Sequence, residues 1–570
     1  MKYTIRESNS IDIIERIFEN RGVSIEQRDT FLKPSRASIQ DPRVYDNMEK
    51  AVDLYLAHIK NGSNILIVVD TDCDGYCSNS IFYNYTKEVM EHDNINYIMH
   101  NDKAHGLTED IMNKVLDIRP DLLVVIDAGS NDYAQHETLF NSGISIIVLD
   151  HHECEGYSDF ALVVNNQLSK EGNKTLSGGG MVMKFMELAD EKSGKCGAED
   201  YIDLVGVSLV ADVMLMTEEE TRYYVLEGLD NITNPLLSIL TEQTKSFNFN
   251  TIGFEIAPVF NSIIRVGDDT EKRIMFEALI GVDRLETLNI RGKGDVELTL
   301  PQYISKIASR MKSRQTKLIK KVVESESTTI ITDDLPITFM IHEDDDGQGL
   351  SGLIASKLVD KYKKPAIVLK KNEEKYYHGS ARSTGSIPNL RDILIDTGKF
   401  MYCLGHSSAF GCSIGFKQLS DLLHMLITNP SNMQSGSYIV DKAYTDGNVS
   451  AMDIISIGEL KDYWCKGFEE PKFYIKLSNI SGSDVIVMGA NANTIKITNN
   501  FISYIKFSCD SDIVKEFKEG SYDIEIIGKF NLNEWNGRSY PQVIIEDYKI
   551  THRDNFDDVD FNTFNPFGGM

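Results

Sequence analysis

Four short apolar runs between residues 64 and 150 constrain this chain more than anything else in it. NILIVVD ends at Asp70, INYIM covers residues 95–99, DLLVVID ends at Asp127 and ISIIVLD ends at Asp150. Helical patterns, Asn79 to Met90 and Glu109 to Leu116, lie between them. Strands apolar at every position must be buried on both faces. Alternation with helices supplies that cover, so the segment predicts an α/β domain built on a parallel sheet. Three of the four strands end on an aspartate. In open parallel sheets ligands bind beyond the carboxyl ends of the strands, so these carboxylates are expected to converge on one crevice.

The rest of the 570 residues leaves room for about three or four domains in all. Residues 180–229 read as helices, with Asp212 the acidic residue in the apolar stretch Val205 to Met216, and residues 300–325 read as one long helix. A second α/β unit follows, with TTIIT at 328–332, ITFMI at 337–341, a helix near 351–361 and PAIVLKK at 365–371. From about residue 435 the pattern is β-rich, and two strands flank Asn536-Gly537, a strong hairpin signal. A β unit of roughly a hundred residues predicts a small barrel of the OB type. The expected fold is therefore α/β: a parallel-sheet core, a second smaller α/β domain, a long connecting helix and a C-terminal OB-like β-barrel. The expected boundaries are an N-terminal extension at 1–55, the core domain at 56–235, a helical connector at 236–325, the second α/β domain at 326–432, the barrel at 433–552 and an acidic disordered tail at 553–570.

Acidic side chains number 86 against 58 basic ones, a formal charge of -28, which excludes a protein that grips nucleic acid or anionic membrane with its whole surface. A local basic path remains allowed. Hydrophobic content of 42% is that of a globular protein. The eight cysteines form no CxxC pair, so reduced thiols are expected rather than a disulfide framework or zinc ribbon. The opening MKYTIRESNSIDIIERIF has no apolar h-region, and no run of 18 apolar residues occurs. The expectation is a soluble, cytoplasmic chain without signal peptide or membrane span.

The sequence VVDTDCDGYCS spaces Asp70, Asp72 and Asp74 by two, which in an extended strand end would put them on one face, and Gly75 would let the chain turn sharply into a helix. Like charges so close repel unless a cation sits among them. Asp127 in VVIDAGS, Asp150-His151-His152 in VLDHHE and Asp212 complete the set. Carboxylates with one or two imidazoles suit Mn²⁺ or Mg²⁺ better than zinc. A shared carboxylate can hold two ions ~3.5–4 Å apart, the arrangement of phosphoester hydrolysis. Taken singly, DxDxDG is equally a calcium loop or acidic turn, DHH a helix cap with surface histidines, and Asp212 a buried structural carboxylate. The signal is the series, in order, at successive strand ends.

That series resembles the DHH phosphoesterase superfamily, and the downstream sequence is similar to its RecJ branch of single-strand-specific 5′→3′ exonucleases. FLKPSRASIQDPRVYDNMEKAVD, IDLVGVSLVADVMLMTEEETR, IGFEIAPVFNSIIRVG, GLSGLIASKLVDKYKKPAIVL, HGSARS, LGHSSAFG and NEWNGRSYPQVIIED carry the likeness. It implies that residues 56–235 are a catalytic DHH domain and 326–432 a substrate-binding domain. It implies that Asp72 and Asp127 hold one metal, and that Asp74, Asp127, His151 and Asp212 hold a second, with Asp127 bridging. Asp70 and Asp150 become outer ligands or groups that orient the histidines. Asp127 and His152 become the catalytic pair, His152 at the phosphate and the leaving 3′-oxygen. Ser380, Arg382 and Ser383, with Arg265, Gly405 and His406, become the pocket for the substrate phosphate and 5′ end. The chain departs from the pattern at Val69, where glycine is usual, at Leu404-Gly405-His406, where two glycines precede histidine, and at 343–348, where EDDDGQ replaces a tryptophan-histidine element. His100 stands where a phosphate-binding arginine is expected, which weakens the case for 5′-phosphate preference.

Between Glu297 and Glu324 no acidic residue occurs, while Lys306, Arg310, Lys312, Arg314, Lys317, Lys320 and Lys321 are basic. Solvated helix faces normally mix both signs, so this stripe predicts a single-strand track. Trp535, Arg538 and Tyr540 at the closing hairpin stack bases or pack locally. The acidic tail, ending NPFGGM, is similar to the Phe-bearing peptides by which single-strand-binding proteins recruit partners, although a solubilising tail is the favoured reading. The expected function is a two-ion exonuclease acting on single-stranded DNA from the 5′ end in repair, recombination or replication. It is expected to be monomeric, away from membranes, with a single-strand-binding protein or helicase as candidate partner. The alternatives are a short-oligonucleotide or cyclic-dinucleotide phosphodiesterase, and a non-catalytic replication scaffold.

Overall fold

The apolar runs become parallel strands. A computed structural model describes residues 1–553 except 102–103, 245, 334, 344–348, 373–374, 385–386, 388, 429–436 and 536, and it leaves the side chains of His406 and Trp535 undescribed. The proposed tail beyond Arg553 lies outside the described residues, as does most of the 343–348 loop. Strands β1 (Ile65–Val69), β2 (Ile95–Met99), β3 (Leu122–Ile126) and β4 (Ser145–Asp150) pair with a fifth, β5 (Leu162–Asn165), in the order β2-β1-β3-β4-β5. Every pairing is parallel. All residues of β1 and β3 are buried, as their uniform apolarity requires.

Helix α1 (Cys73–Asn84) begins six residues earlier than its periodicity indicated, directly after β1. Eleven of its twelve residues are buried, so it has no polar face for a 3.6-residue pattern to report. It packs on α2 (Gly178–Ser193) and α3 (Ile202–Ala211). Lys184 of α2, with no exposed side-chain surface, lies 2.8 Å from Glu220 of α4 (Glu219–Asp230) and donates to the Gln40 carbonyl, tying the helices to the segment before the sheet. Removing one partner of a buried pair leaves an uncompensated charge. Lys184→Met is therefore expected to lower unfolding stability by about 3–5 kcal/mol, and Lys184→Met with Glu220→Gln to recover part of it. Denaturant melts of the two single variants and the double variant check this.

Helix α5 (Ala257–Val266) and α6 (Leu300–Val323) follow. A capping box, with Thr299 as cap and Gln302 reaching back, starts α6 where the sequence placed it, and Ile304, Ile307, Ala308, Met311, Ile319 and Val322 form its buried stripe. The next strands are β6 (Thr329–Ile331), β7 (Thr338–His342), β8 (Ala366–Lys371), β9 (Tyr376–Arg382), β10 (Phe400–His406) and β11 (Ala409–Gly415). They form a sheet of order β10-β11-β9-β8-β7-β6 in which only β7 and β8 run parallel. One face packs Phe339, Ile367, Phe410, Cys412 and Ile414 against two helices that contribute Leu390, Leu394, Leu419 and Leu422. On the other face α7 (Ser351–Tyr362) lies along β8 and β9, its Ile354, Ala355 and Leu358 joining the core that holds Ala366 and Val368.

All of this belongs to one compact unit, Asp29–Gln434 with Tyr463–Phe468. Met1–Arg28, Ser435–Asp462 and Glu469–Met570 form the other. Its sheet contains β12 (Lys442–Tyr444), β13 (Phe473–Ser481), β14 (Ile486–Met488), β15 (Thr494–Asn499), β16 (Ile502–Lys506), β17 (Ser521–Trp535) and β18 (Arg538–His552), in the order β12-β13-β17-β18-β16-β15-β14. No ladder among the described residues joins β12 to β14, so the expected closed barrel is an open seven-stranded sheet. β17 and β18 pair as an antiparallel hairpin from Trp535 and Arg538 outward, and Gly537 between them has φ +72°. Within this unit Tyr3–Ile5 pairs with Tyr438–Val440, and Arg21 meets Asp441 at 2.6 Å, both nearly fully buried. None of the eight cysteines is in a disulfide. Among the described residues no helix is long and apolar enough to cross a membrane.

Candidate metal centre

Asp70 follows β1, Asp72 caps α1 by accepting the Gly75 amide at 2.9 Å, and Asp74 lies in the first helical turn. The three carboxylates are thus gathered by a strand-to-helix corner and not by one extended face. Gly75 has an ordinary helical place. A Cβ there would lie 2.6 Å from Asp70 Cβ and 2.8 Å from its carbonyl carbon, so glycine is needed for close approach and not for a turn. Asp127 stands just past β3 with φ +65°, a left-handed conformation that aspartate tolerates better than most residues. His151 and His152 follow β4, and Asp212 caps the end of α3.

Ligand atoms of Asp70, Asp72 and Asp127 lie within 4.8 Å of one another, as do those of Asp74, His151 and Asp212, and those of Asp127, His151 and His152. The sets join where His151 Nε2 stands 3.1 Å from Asp127 Oδ1, 3.5 Å from Asp212 Oδ2 and 3.7 Å from Asp74 Oδ2. Asp74 is held from behind by the start of α2: the Gly178 and Gly179 amides donate to its two oxygens at 2.8 and 3.0 Å, and the Ser208 hydroxyl donates as well. This is an anion cradle at a helix N-terminus. Asp150 is in none of the three sets. Its carboxylate accepts from the His151, His152 and Ser130 amides and from His152 Nδ1 at 2.9 Å, so it orients the histidines and is not placed as a ligand.

Burial, then the charge of Asp74 and Asp72, pushes the Asp127 and Asp212 carboxyls well above the usual range. Burial pushes Asp70 up to about 6, against the pull of His105, whose Nδ1 lies 2.6 Å away. Burial works against the Asp150 charge too, but its bond from His152 wins and holds it below the carboxylate range. His152, despite its own desolvation, is raised to about 9 by Asp150, while burial lowers His151. Among the described residues no hydrogen-bond donor reaches two buried acceptors, Asp70 Oδ1 and Asp127 Oδ2. Buried, mutually repelling, oxygen-rich donors with one or two imidazoles fit a hard divalent cation. The sign follows for Asp70. Its folded pKa exceeds the unfolded value, so the metal-free fold loses stability from this group as pH rises from about 4 through about 6. A bound cation replaces the proton. Saturating Mn²⁺ or Mg²⁺ is expected to raise the melting temperature more at about pH 8 than at about pH 5; equal gains in thermal melts would remove these carboxyls from the binding site.

Arg265 of α5 lines a recess with Asp72, Asp74, His105, Asn261 and Asp212, and also a groove of about 1070 Å³ beside the second sheet. Arg382 and Ser380 of β9 line that groove as well. Burial lowers the pKa of Arg265 and Arg382; the positive charge of Arg265 lowers Arg382 further. A Cβ on Gly352 would come within 2.5 Å of Arg382 Nη2, so that glycine makes room for the guanidinium. Other expectations are not met. His100 is buried, with its pKa pushed down to about 4 by desolvation, and packs beside Tyr76 and Ile264; His105, five residues on, is the imidazole at the carboxylates. Ser383 follows the end of β9 and spends its hydroxyl on the Ile387 carbonyl, and Gly405, whose carbonyl accepts from Arg391, does not line the groove. The side chains of His406 and Trp535 are not described.

Lys306, Arg310, Lys312, Arg314, Lys317, Lys320 and Lys321 are exposed on α6, with Arg314 3.7 Å from Glu271 and Lys320 3.9 Å from Glu324. In the other unit Arg538 and Tyr540 are exposed on β18. The sequence reading missed His105, Gly178, Gly179 and Ser208. A run of glycines opening an apolar helix, Ser177 to Gly180, was the legible signal for a cradle.

An open parallel sheet carrying an Asp-His cluster at its carboxyl ends, linked to a second α/β domain, is the architecture of a DHH protein. The DHH family, N-terminal domain, matches residues 64–209, and the RecJ OB domain matches residues 448–547. A protein of the SPbeta prophage in Bacillus subtilis (strain 168), assigned as a single-strand DNA-specific exonuclease, is 32% identical over 581 residues, covering 96% of this chain and 98% of its own. The single-stranded-DNA-specific exonuclease RecJ of the same organism is 25% identical over 549 residues, covering 92% of this chain and 66% of its own. RecJ from Thermus thermophilus, solved in complex with Mn²⁺, has the same fold, with a TM-score of 0.72 at 17% identity over 94% of this chain and 76% of that one. The chain belongs to the RecJ-like family of single-stranded-DNA-specific exonucleases.

Proposed function

We propose that this protein hydrolyses single-stranded DNA from the 5′ end to 5′-mononucleotides, with two divalent cations, Mn²⁺ or Mg²⁺, during DNA repair, recombination or replication in the cytoplasm. The observation that carries the reading is the junction of two carboxylate sets at Asp127 and His151, opening beside an arginine that also lines the substrate groove. Asp70, Asp72 and Asp127 would hold one ion, and Asp74, His151 and Asp212 the other, with Asp127 reaching both. The ions, when bound, supply Lewis-acid polarisation of the phosphate and acidify the attacking water. Thermus thermophilus RecJ has been solved with each of these metals, which supports the choice.

The chain's own groups do the rest. His152, oriented through Nδ1 by Asp150 and kept protonated near neutral pH, offers its Nε2 proton to a phosphate oxygen and then to the leaving 3′-oxygen. Arg265 and Arg382 give forked, charge-assisted bonds to phosphate oxygens, which holds the end of the strand against the carboxylates. The exposed basic residues of α6 follow the backbone of the remaining strand. A groove of about 1070 Å³ also favours a second reading, a short-oligonucleotide phosphodiesterase, which has no use for that helix.

The test is single-stranded and duplex DNA labelled at the 5′ or the 3′ end, incubated with the protein and Mn²⁺ or Mg²⁺. Release of labelled mononucleotide from the 5′ label alone at early times, with duplex spared, is the expected result. Cleavage of dinucleotides but not of long strands would establish the second reading instead, and release from the 3′ label would reverse the polarity.

A further inference from the structure

One face of the second sheet carries α7, mainly over β8 and β9, and among the described residues this face is open at β10, where Tyr402 and Leu404 are exposed. Alternation along β9 puts His378, Ser380 and Arg382 on the open face, since Ala381 between them packs into the core. Along β10 the same alternation puts Tyr402 and Leu404 outward and Cys403 inward. The register sets these residues in rows. Tyr402 pairs with Ser413, which pairs with His378; Leu404 pairs with Gly411, which pairs with Ser380; Arg382 pairs with Ala409 in the row after. The strand between the two aromatic-bearing strands therefore contributes only small residues, and the floor of the face is flat.

His378 and Tyr402 stand over that floor as a pair, their rings 6.5 Å apart and inclined by 28°, with Nδ1 3.3 Å from the tyrosine hydroxyl. Asn372 fixes the imidazole from its other edge at 2.9 Å. Both rings are exposed, Tyr402 by 40%, and Leu404 beside them by 66%. Exposed Leu404 and an aligned, exposed ring pair have no account in the packing of this sheet, whose two buried clusters hold neither of the rings nor Leu404. The two rings line the same groove as Arg265 and Arg382. Two residues along a strand, about 7 Å, separate His378 from Ser380, with Arg382 as far again beyond it, so one strand carries base-stacking and phosphate-binding groups in series.

We propose that His378 and Tyr402 form a shelf on which a base of the terminal segment stacks while Arg265 and Arg382 hold its phosphate. The inference rests on the exonuclease reading and extends it: the groove recognises a nucleotide by its base plane as well as by its phosphate. Stacking on a ring serves all four bases, because each presents a π face, so the shelf rewards the presence of a base and not its identity. It also places a nucleotide, and not an inorganic anion or sugar phosphate, as the chemical class that fills the groove.

The probe is a 5′-phosphorylated, 3′-fluorescein-labelled hexathymidylate, beside the same strand with its two 5′-terminal residues abasic. Fluorescence anisotropy is read on the full chain carrying Asp127→Asn, so that nothing is cleaved. The base-bearing strand is expected to bind roughly tenfold more tightly than the abasic one. His378→Ala with Tyr402→Ala should abolish the difference, and Tyr402→Phe should keep it; both side chains are exposed, and circular dichroism checks that the fold survives. Equal binding of the two strands by the parent, binding of neither, or a preference that persists without the two rings overturns the shelf. Failure of the exonuclease reading looks different: the wild-type chain then leaves end-labelled DNA intact, whatever the two strands do in the binding assay.

Discussion

Asp127→Asn is expected to abolish hydrolysis of single-stranded DNA and to leave the metal-free protein at least as stable as the wild type. The two effects have one cause. Asp127 belongs to the set with Asp70 and Asp72, and its Oδ1 lies 3.1 Å from His151 Nε2 of the other, so its loss is expected to affect both candidate ion positions. Transition-state stabilisation of several kcal/mol is lost with the ions, and about 4 kcal/mol is a factor of about 10³ in rate. In the absence of metal the same carboxylate is a liability: it is buried, one oxygen has no donor, and Asp74, Asp72, Asp70 and Asp212 all disfavour its charge. Asparagine keeps the shape, removes the charge and accepts φ +65° as aspartate does. Thermal melts in chelator at about pH 8 should therefore give an equal or higher midpoint, by about 1 °C for each 1 kcal/mol relieved in a unit of this size, and the added stability from Mn²⁺ or Mg²⁺ should vanish. Asp127→Ala is the contrast. Alanine at that φ costs about 1–2 kcal/mol, so it should lose activity and stability together. An Asp127→Asn protein that degrades DNA at more than about a tenth of the wild-type rate, a loss of only about 1.4 kcal/mol, would take Asp127 out of the centre.

The parallel sheet was legible because β1 and β3 are apolar at every position, a pattern that only burial on both faces explains. The convergence of Asp70, Asp127 and Asp150 at one crevice was legible for the same reason, since strand ends in such a sheet point to one edge. What failed was local. β5 has only four residues, too short to stand out, and α1 is buried all round, so neither has a period to read. His100 and His105 both follow β2, with no regular pattern there to say which imidazole turns inward. Asp150 ends its strand as Asp127 follows its own, yet the amides of the two histidines claim its oxygens before a metal can. Ser383 reads as part of SARS, but alternation ends with β9 at Arg382. The shelf of His378 and Tyr402 depends on a register between strands that are apart in sequence, which no local pattern contains.

Gly179→Ala is expected to weaken metal binding by about 10–100-fold without touching a ligand. The amide of Gly179 donates to Asp74 Oδ1 at 3.0 Å, next to the Gly178 amide on Oδ2, and a Cβ added at position 179 would lie 2.3 Å from Ser208 Oγ and 2.8 Å from Ser208 Cβ. The added methyl thus meets a side chain of α3 that is itself part of the Asp74 cradle. Either α2 slides away from α3, or Ser208 swings off Asp74, to which its hydroxyl also donates. Both routes take donors from a carboxylate that one ligand set needs in its charged, oriented form. Alanine is the better helix former by about 1 kcal/mol, and overpacking of this kind costs about 1–3 kcal/mol, so the net change in stability is small while the change at Asp74 is not. The consequence is specific: activity should fall at limiting Mn²⁺ or Mg²⁺ and recover in part when the ion is raised, because the ligands remain and only their order is lost. Ser208→Gly in the same chain removes both clashing atoms and should restore the packing but not the missing hydroxyl, leaving the metal dependence intermediate. If the Gly179→Ala protein shows the wild-type dependence on ion concentration, the start of α2 does not organise Asp74, and the glycine run serves packing alone.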